Sequence, residues 1–148
     1  MKPITKLILV LILVTTAVTV SRMAGTNENQ KELSFETKEN SAGNVTISVT
    51  PLRLTSGFPA SFDVVFETHS VELTFDIEQI AKLSDETGAT YVPHWEGSPP
   101  GGHHRSGTLR FTPDLSAQAG LKKETAITLT MKDIADVPSR TFSWEVKK

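Results

Sequence analysis

With 148 residues and a formal charge of −2, the chain has room for one domain behind a short leader. Three of its 15 basic residues precede Ala24, whereas all 17 acidic residues follow it, so residues 24–148 carry 12 basic and 17 acidic groups, a net charge of −5. Because this part of the chain is net negative and has no Lys/Arg run longer than two, we do not expect it to bind nucleic acid. The chain has no cysteine, so the domain has to be held together by its core rather than by disulfides.

Residues 1–23 are predicted to form an N-terminal hydrophobic helix that is either a membrane anchor or a signal peptide. Lys2 and Lys6 precede and border the apolar run Leu7–Val20, and the segment contains no acidic residue. Positive charge at that end keeps it in the cytoplasm, so the rest of the chain is expected outside. Cleavage of a signal peptide after Ala24 would place Arg22 at the −3 position, where a small residue is expected. We therefore expect an anchor with its N-terminus inside and its C-terminus outside, with secretion after cleavage as the alternative.

Residues 24–43 are predicted to be a polar linker. The segment is rich in Asn, Glu, Lys and Ser, and its large apolar residues are Leu33 and Phe35. Such a composition is typical of a solvated tether. Because these two residues alternate with polar neighbours, a short first strand over Glu32–Thr37 is an alternative for this part of the linker.

From Asn44 onward the apolar residues recur with a period of two. This pattern predicts antiparallel strands with one buried and one solvated face. Turn residues between such segments predict an all-β fold, an antiparallel β-sandwich of about seven strands over residues 44–148. The segments that alternate most clearly are Val45–Val49, Phe62–Phe66, Val71–Ile77, Leu109–Phe111, Ile127–Met131 and Phe142–Val146.

Three local features refine this prediction. Pro51 shifts the apolar phase of its strand, which indicates a bulge or an edge. Asp85–Gly88 is typical of a type I turn within a hairpin, with Gly88 in the left-handed conformation. The helical spacing within Ile77–Ala81 predicts a single helical turn that crosses between the sheets.

The stretch FDVVFETHSVELTF, followed by LSDETGATYVP, resembles exported immunoglobulin-like domains of uncharacterised families. The resemblance covers Val45–Val146 and implies an immunoglobulin-like β-sandwich, but no particular activity. The chain departs from antibody domains because it has no cysteine pair. In addition, Phe62 and Phe66 stand on the strand where a core tryptophan is expected.

No sequence motif indicates an enzyme. The chain has no Gly-x-Ser-x-Gly elbow, no phosphate-binding glycine loop and no His-Glu-x-x-His pair. The paired carboxylates Asp85-Glu86 and Asp133 with Asp136 fit turns, where aspartate bonds its own backbone. A sandwich of this kind is more often a binding module. We therefore expect a non-enzymatic binding or assembly module.

The segment His94–Gly107 is the predicted contact site. It holds three of the four histidines and is stiffened by two adjacent prolines. A loop of this length in a small domain is typical of a functional segment. Tryptophan and arginine are enriched at binding hot spots, and immunoglobulin-like domains bind through end loops. The residues predicted to contact a protein partner are Trp95, His103, His104 and Arg105. In the alternative without a binding role, Trp95 caps the open end of the sandwich core and Arg105 lies on its ring.

The alternative function is Cu or Zn binding at a cell surface or in a periplasm; otherwise no cofactor is expected. Histidine is the commonest ligand of these ions. A count of strand directions places His69 on the opposite rim of the domain, about 20 Å from the other histidines; the count fails if the segment DIEQI is a crossover that does not reverse the chain, and all four histidines could then converge. The alternative ligand set is therefore His94, His103, His104 and Glu96.

Overall fold

A computed structural model describes residues 35–113 and 126–146, which belong to one compact unit. The predicted hydrophobic helix at residues 1–23 lies outside this range. Within the described range, no helix is long and apolar enough to cross a membrane. The elements in chain order are β1 (Lys38–Ala42), β2 (Val45–Arg53), β3 (Ala60–Thr68), α1 (Ile77–Ile80), β4 (Ala81–Asp85), β5 (Tyr91–Gly97), β6 (His104–Pro113), β7 (Ala126–Ile134) and β8 (Val137–Glu145).

The strands form two antiparallel sheets. One has five strands in the order β1-β2-β3-β6-β5, and the other has three in the order β4-β7-β8. All neighbouring strands within these sheets are antiparallel. The predicted all-β, antiparallel architecture is confirmed.

The core consists of the alternating apolar side chains of both sheets. Val45, Ile47 and Val49 of β2 are fully buried, as are Ile127 and Leu129 of β7. These side chains belong to one hydrophobic cluster, whose aromatic members include Phe62 of β3 and Trp144 of β8, with ring centres 5.4 Å apart. The period of two therefore identified the buried faces correctly.

The first strand lies later in the chain than expected. Residues 35–37 are not in a strand, and β1 begins at Lys38 within the segment predicted as a linker. A polar sequence suffices here because β1 is an edge strand in which no residue is fully buried. Its partner β2 follows directly through Gly43 and Asn44, whose φ angles of 53° and 60° form a tight turn.

The strand predicted over Val71–Ile77 is wrong. Residues 71–76 are irregular and lead into α1, whose N-cap Asp76 accepts a hydrogen bond from the backbone N–H of Glu78 at 3.0 Å. Leu73 is fully buried, so the alternation reported burial but not strand pairing. The helical turn is confirmed, and it carries the chain from the five-stranded sheet to β4 in the other sheet.

The predicted bulge and turn are both present. The β2–β3 register shifts between Pro51 and Arg53, and Gly88 adopts a φ of 75° while its N–H donates to the carbonyl of Asp85 at 3.2 Å. The predicted hairpin is not formed, because β4 and β5 belong to different sheets, and a single backbone bridge, Ser84–Thr90, links the residues on either side of the turn.

Candidate functional site

One end of the domain, here called the histidine end, gathers the β1–β2 turn, the residues after β3 and the connection between β5 and β6. The strand registers place them together. Ala42 pairs with Val45, Val45 with Thr68, and Glu67 with His104. The opposite end holds the β2–β3 and β4–β5 connections.

The segment His94–Gly107 is mostly a hairpin, not a loop. β5 continues to Gly97 and β6 begins at His104, so only residues 98–103 connect them. Gly97 pairs with Gly107, and the Trp95 ring lies across this glycine pair. A Cβ on Gly97 or Gly107 would approach Trp95 Cζ2 to 2.6 or 2.8 Å. The glycines thus let the strands pair under the ring, which the prediction of a long loop missed.

The connection 98–103 is fixed by its backbone. The N–H of Leu73 donates to the carbonyl of Gly102 at 2.9 Å, and the N–H of Gly101 donates to the carbonyl of Leu73 at 2.8 Å. Gly101 and Gly102 have φ angles of 115° and 73°, which glycine adopts without steric cost. The residues after β3 therefore hold the tip of the β5–β6 hairpin in place.

Trp95 is half-buried at this end. Its ring packs against the core cluster and lies 6.4 Å from the ring centre of Phe66. Its Nε1–H donates to the carbonyl of Ser98 at 3.0 Å, so the polar atom of the indole is already used within the domain. Trp95 thus supports the connection and offers only part of its ring to a partner.

Arg105 is buried and does not belong to an exposed contact surface. Only 2% of the residue is exposed, and its guanidinium donates to the carbonyls of Leu73, Phe75 and Ser98 at 3.1, 2.7 and 3.3 Å. It lies over the ring of Phe75, at 5.2 Å, rather than on Trp95 as the alternative without a binding role predicts. Burial lowers the pKa of Arg105, while the charge of Asp76 acts in the opposite direction.

The sequence already carried a signal for this burial. Arg105 shares odd-numbered positions on β6 with Leu109 and Phe111, which are both fully buried, and it pairs with the buried Phe66 of β3. The side chain therefore points inward by the same alternation that defines the core. We interpret Arg105 as the support of the histidine end.

His69 lies beside His104, contrary to the strand count. Their ring centres are 6.3 Å apart, and the rings are inclined at 77°. The count assumed that Val71–Ile77 reversed the chain direction as a full strand. Because that segment is irregular, the chain stays at the histidine end, where the N–H of Thr68 donates to the carbonyl of His103 at 3.0 Å.

The proposed metal ligands do not all converge. His94 pairs with Arg110 across the β5–β6 ladder, and Arg110 is six positions along β6 from His104. At about 3.4 Å per residue this is a separation of roughly 20 Å. Within residues 35–113 and 126–146, no group of three or more His, Asp or Glu side chains is arranged to hold a metal ion.

His94 and Glu96 instead take part in a charged cluster on the outer face of β5. His94 Nδ1 lies 3.2 Å from Glu78 of α1, and Arg110 lies 3.2 Å from Glu96. Glu78 also accepts a hydrogen bond from the N–H of Trp95 at 2.7 Å. This cluster ties α1 to the edge of the five-stranded sheet.

A groove of about 610 Å³ runs beside His69. The β1–β2 turn forms one wall, and the end of β3 with Glu67, His69 and Ser70 forms the other.

Comparison of the chain with protein-family models, with curated protein sequences and with solved structures finds no match.

Proposed function

We propose that the chain is an extracytoplasmic, non-enzymatic binding or assembly module with an immunoglobulin-like fold, anchored in a membrane through residues 1–23. The two antiparallel sheets support the sandwich, and the lysines before the apolar run support an anchor with the N-terminus inside. We place the contact surface for a protein partner at the histidine end.

The direction of β1 supports this placement. Lys38 at its start pairs with Val49, and Ala42 at its end pairs with Val45 beside the β1–β2 turn. β1 therefore begins at the opposite end of the domain and runs toward the histidine end. The proposed contact surface thus lies at the end where β1 finishes, away from residues 35–37, which immediately precede this strand.

The observation that carries the proposal is that three exposed imidazoles share this end. His69, His103 and His104 are all exposed, and the backbone around them is fixed by hydrogen bonds to neighbouring segments. Side chains presented on a rigid backbone lose little entropy when they bind. With Arg105 buried, the revised contact set is His69, His103, His104 and the exposed part of Trp95.

Single cysteines test the proposal cleanly because the chain has none of its own. The variant His103→Cys is expected to react with a membrane-impermeant maleimide in intact cells, or in spheroplasts if an outer membrane is present. Lys2→Cys should react only after lysis. Protection of position 103 until lysis would contradict the extracytoplasmic location.

The contact surface is tested by a maleimide that carries a photo-crosslinking group. We expect positions 69 and 103 to give the same discrete adduct in the native host. The matched control is Thr141→Cys, an exposed position on the three-stranded sheet, which should not give it. Equal adducts from position 141, or none from a surface-labelled position 103, would overturn the assignment of the contact surface.

A further inference from the structure

We propose that His69 and His104 together bind a Cu(II) ion at the histidine end. This is a different ligand set from the one that the sequence indicates, and it does not depend on the contact role proposed above. The decisive observation is the separation of 6.3 Å between the two ring centres, which belong to segments 35 positions apart in the chain.

The geometry is close to that of two imidazoles on one ion. With metal–nitrogen bonds of about 2.0 Å, two rings bound at cis positions have centres roughly 4.5–5 Å apart. From 6.3 Å, the ring centres therefore have to approach by roughly 1.3–1.8 Å. Both side chains are exposed, that of His104 by 64%, so rotation about their side-chain bonds can supply this movement.

The backbone holds the two residues at a fixed spacing. Glu67 pairs with His104 across the β3–β6 ladder, and His69 follows Glu67 two positions later, directly after the end of β3. Thr68 fixes the intervening turn. Its hydroxyl donates to the carbonyl of Asn44 at 2.7 Å and accepts the N–H groups of Ser70 and Val71 at 3.3 and 3.2 Å.

The local charge also favours a cation. The carboxylate of Glu67 lies 3.9 Å from His104 Nδ1 and supplies negative charge beside the pair. The site is open to the groove described above, so water can complete the coordination of the ion. Among divalent first-row ions, Cu(II) binds a given set of nitrogen ligands most tightly, and we expect Zn(II) to bind the pair more weakly.

Titration of the untagged full-length chain in detergent with Cu(II) alone tests the proposal. We expect one ion per chain, with affinity at least about tenfold weaker in His69→Gln and in His104→Gln, because each variant removes one of two protein ligands. Electron paramagnetic resonance of the native complex should show coupling to two equivalent nitrogens. The matched controls are His94→Gln and His103→Gln, which should bind as the native chain does.

Circular dichroism of each variant checks that the fold is intact. The proposal is overturned if His69→Gln binds Cu(II) as tightly as the native chain, or if His103→Gln weakens binding as much as His104→Gln does. The second result would place the ion in the connection 98–103 instead. Neither result bears on the crosslinking from positions 69 and 103, so the two proposals fail separately.

Discussion

Asp85 and Tyr91 form a buried polar pair that is hydrogen-bonded at the start of the β4–β5 connection. The Asp85 carboxylate accepts hydrogen bonds from the backbone N–H groups of Thr87 and Ala89, from the Thr87 hydroxyl and from the Tyr91 hydroxyl, the last at 3.0 Å. Burial of Asp85 acts to raise its pKa, but these hydrogen bonds outweigh burial and hold the pKa below its usual value. The pair orders the crossing from β4 to β5.

The substitution Tyr91→Phe measures the tyrosine's share of this network. It keeps the ring and removes only the hydroxyl that donates to the charged carboxylate. We expect the free energy of unfolding to fall by about 1.5–3 kcal/mol, measured by urea denaturation. Thr141→Val is the matched control, because it removes an exposed hydroxyl. An equal effect of the two substitutions would show that the buried pair has no special role.

Burial at the scale of single residues explains why Arg105 is a poor candidate for a contact residue. Arginine is rarely fully buried, so the composition of His94–Gly107 favoured Arg105 as a contact residue. Its position on β6 indicated the opposite, since it shares the inward face with Leu109. Residue type therefore favours exposure of Arg105, whereas its position on the strand favours burial. Burial is possible because the guanidinium donates to the backbone carbonyls of Leu73 and Phe75, which lie 32 and 30 positions earlier in the chain. The sequence alone does not show that these carbonyls are within reach.

At the scale of elements, the β5–β6 hairpin depends on the close pairing of Gly97 with Gly107. A Cβ at position 107 would lie 2.5 Å from the Cα of Gly97 and 2.6 Å from the carbonyl oxygen of Glu96. Both of these atoms belong to the backbone. A side chain here therefore requires the strands to separate and the Trp95 ring to move.

We accordingly expect Gly107→Ala to lower the free energy of unfolding by about 1–3 kcal/mol and to increase the solvent exposure of Trp95. Urea denaturation and the near-ultraviolet dichroism of the tryptophans report these two effects. Thr112→Ala, at an exposed position on the same strand, serves as the control. Native stability in Gly107→Ala would mean that the strands do not approach as closely as described.

The elements predicted from alternation are mostly confirmed, and the exceptions have a common cause. Alternation reports which side chains are buried, whereas a strand also needs a neighbour for its backbone. Residues 71–75 alternate correctly, but the N–H and carbonyl of Leu73 bond the connection 98–103 rather than a strand. β1 shows the converse, since it is polar yet paired with β2. Neither partner is specified by local sequence.

For the whole molecule, Asp85 and Tyr91 predict how stability varies with pH. The folded pKa of Asp85 is lower than its unfolded value, so its contribution is complete above about pH 4 and is lost as pH falls through the folded pKa. Burial, the hydrogen bond to Asp85 and the charge of Asp85 raise the pKa of Tyr91 to about 12. The contribution of Tyr91 to stability is therefore complete below about pH 10 and is lost as the pH rises toward the folded pKa of about 12.

The variant Asp85→Asn should therefore unfold with a flatter pH dependence between about pH 5 and pH 2 than the native chain. Urea midpoints measured across that range give the slope. Glu86→Gln, which changes the exposed neighbour by the same one charge, should retain the native slope. If both variants flatten it equally, net charge rather than the Asp85 network controls acid stability.

The orientation of β1 has a mechanical consequence. In the proposed function, force from a membrane tether would enter at the start of β1 and force from a bound partner at the histidine end, so that tension would act along the axis of this strand. Hydrogen bonds of an antiparallel ladder lie perpendicular to the strands, so the β1–β2 bonds are strained in shear and share the force together. The indole of Trp144, bonded to the carbonyl of Glu36 at 3.0 Å, adds a further attachment just before β1, where such a force enters the domain.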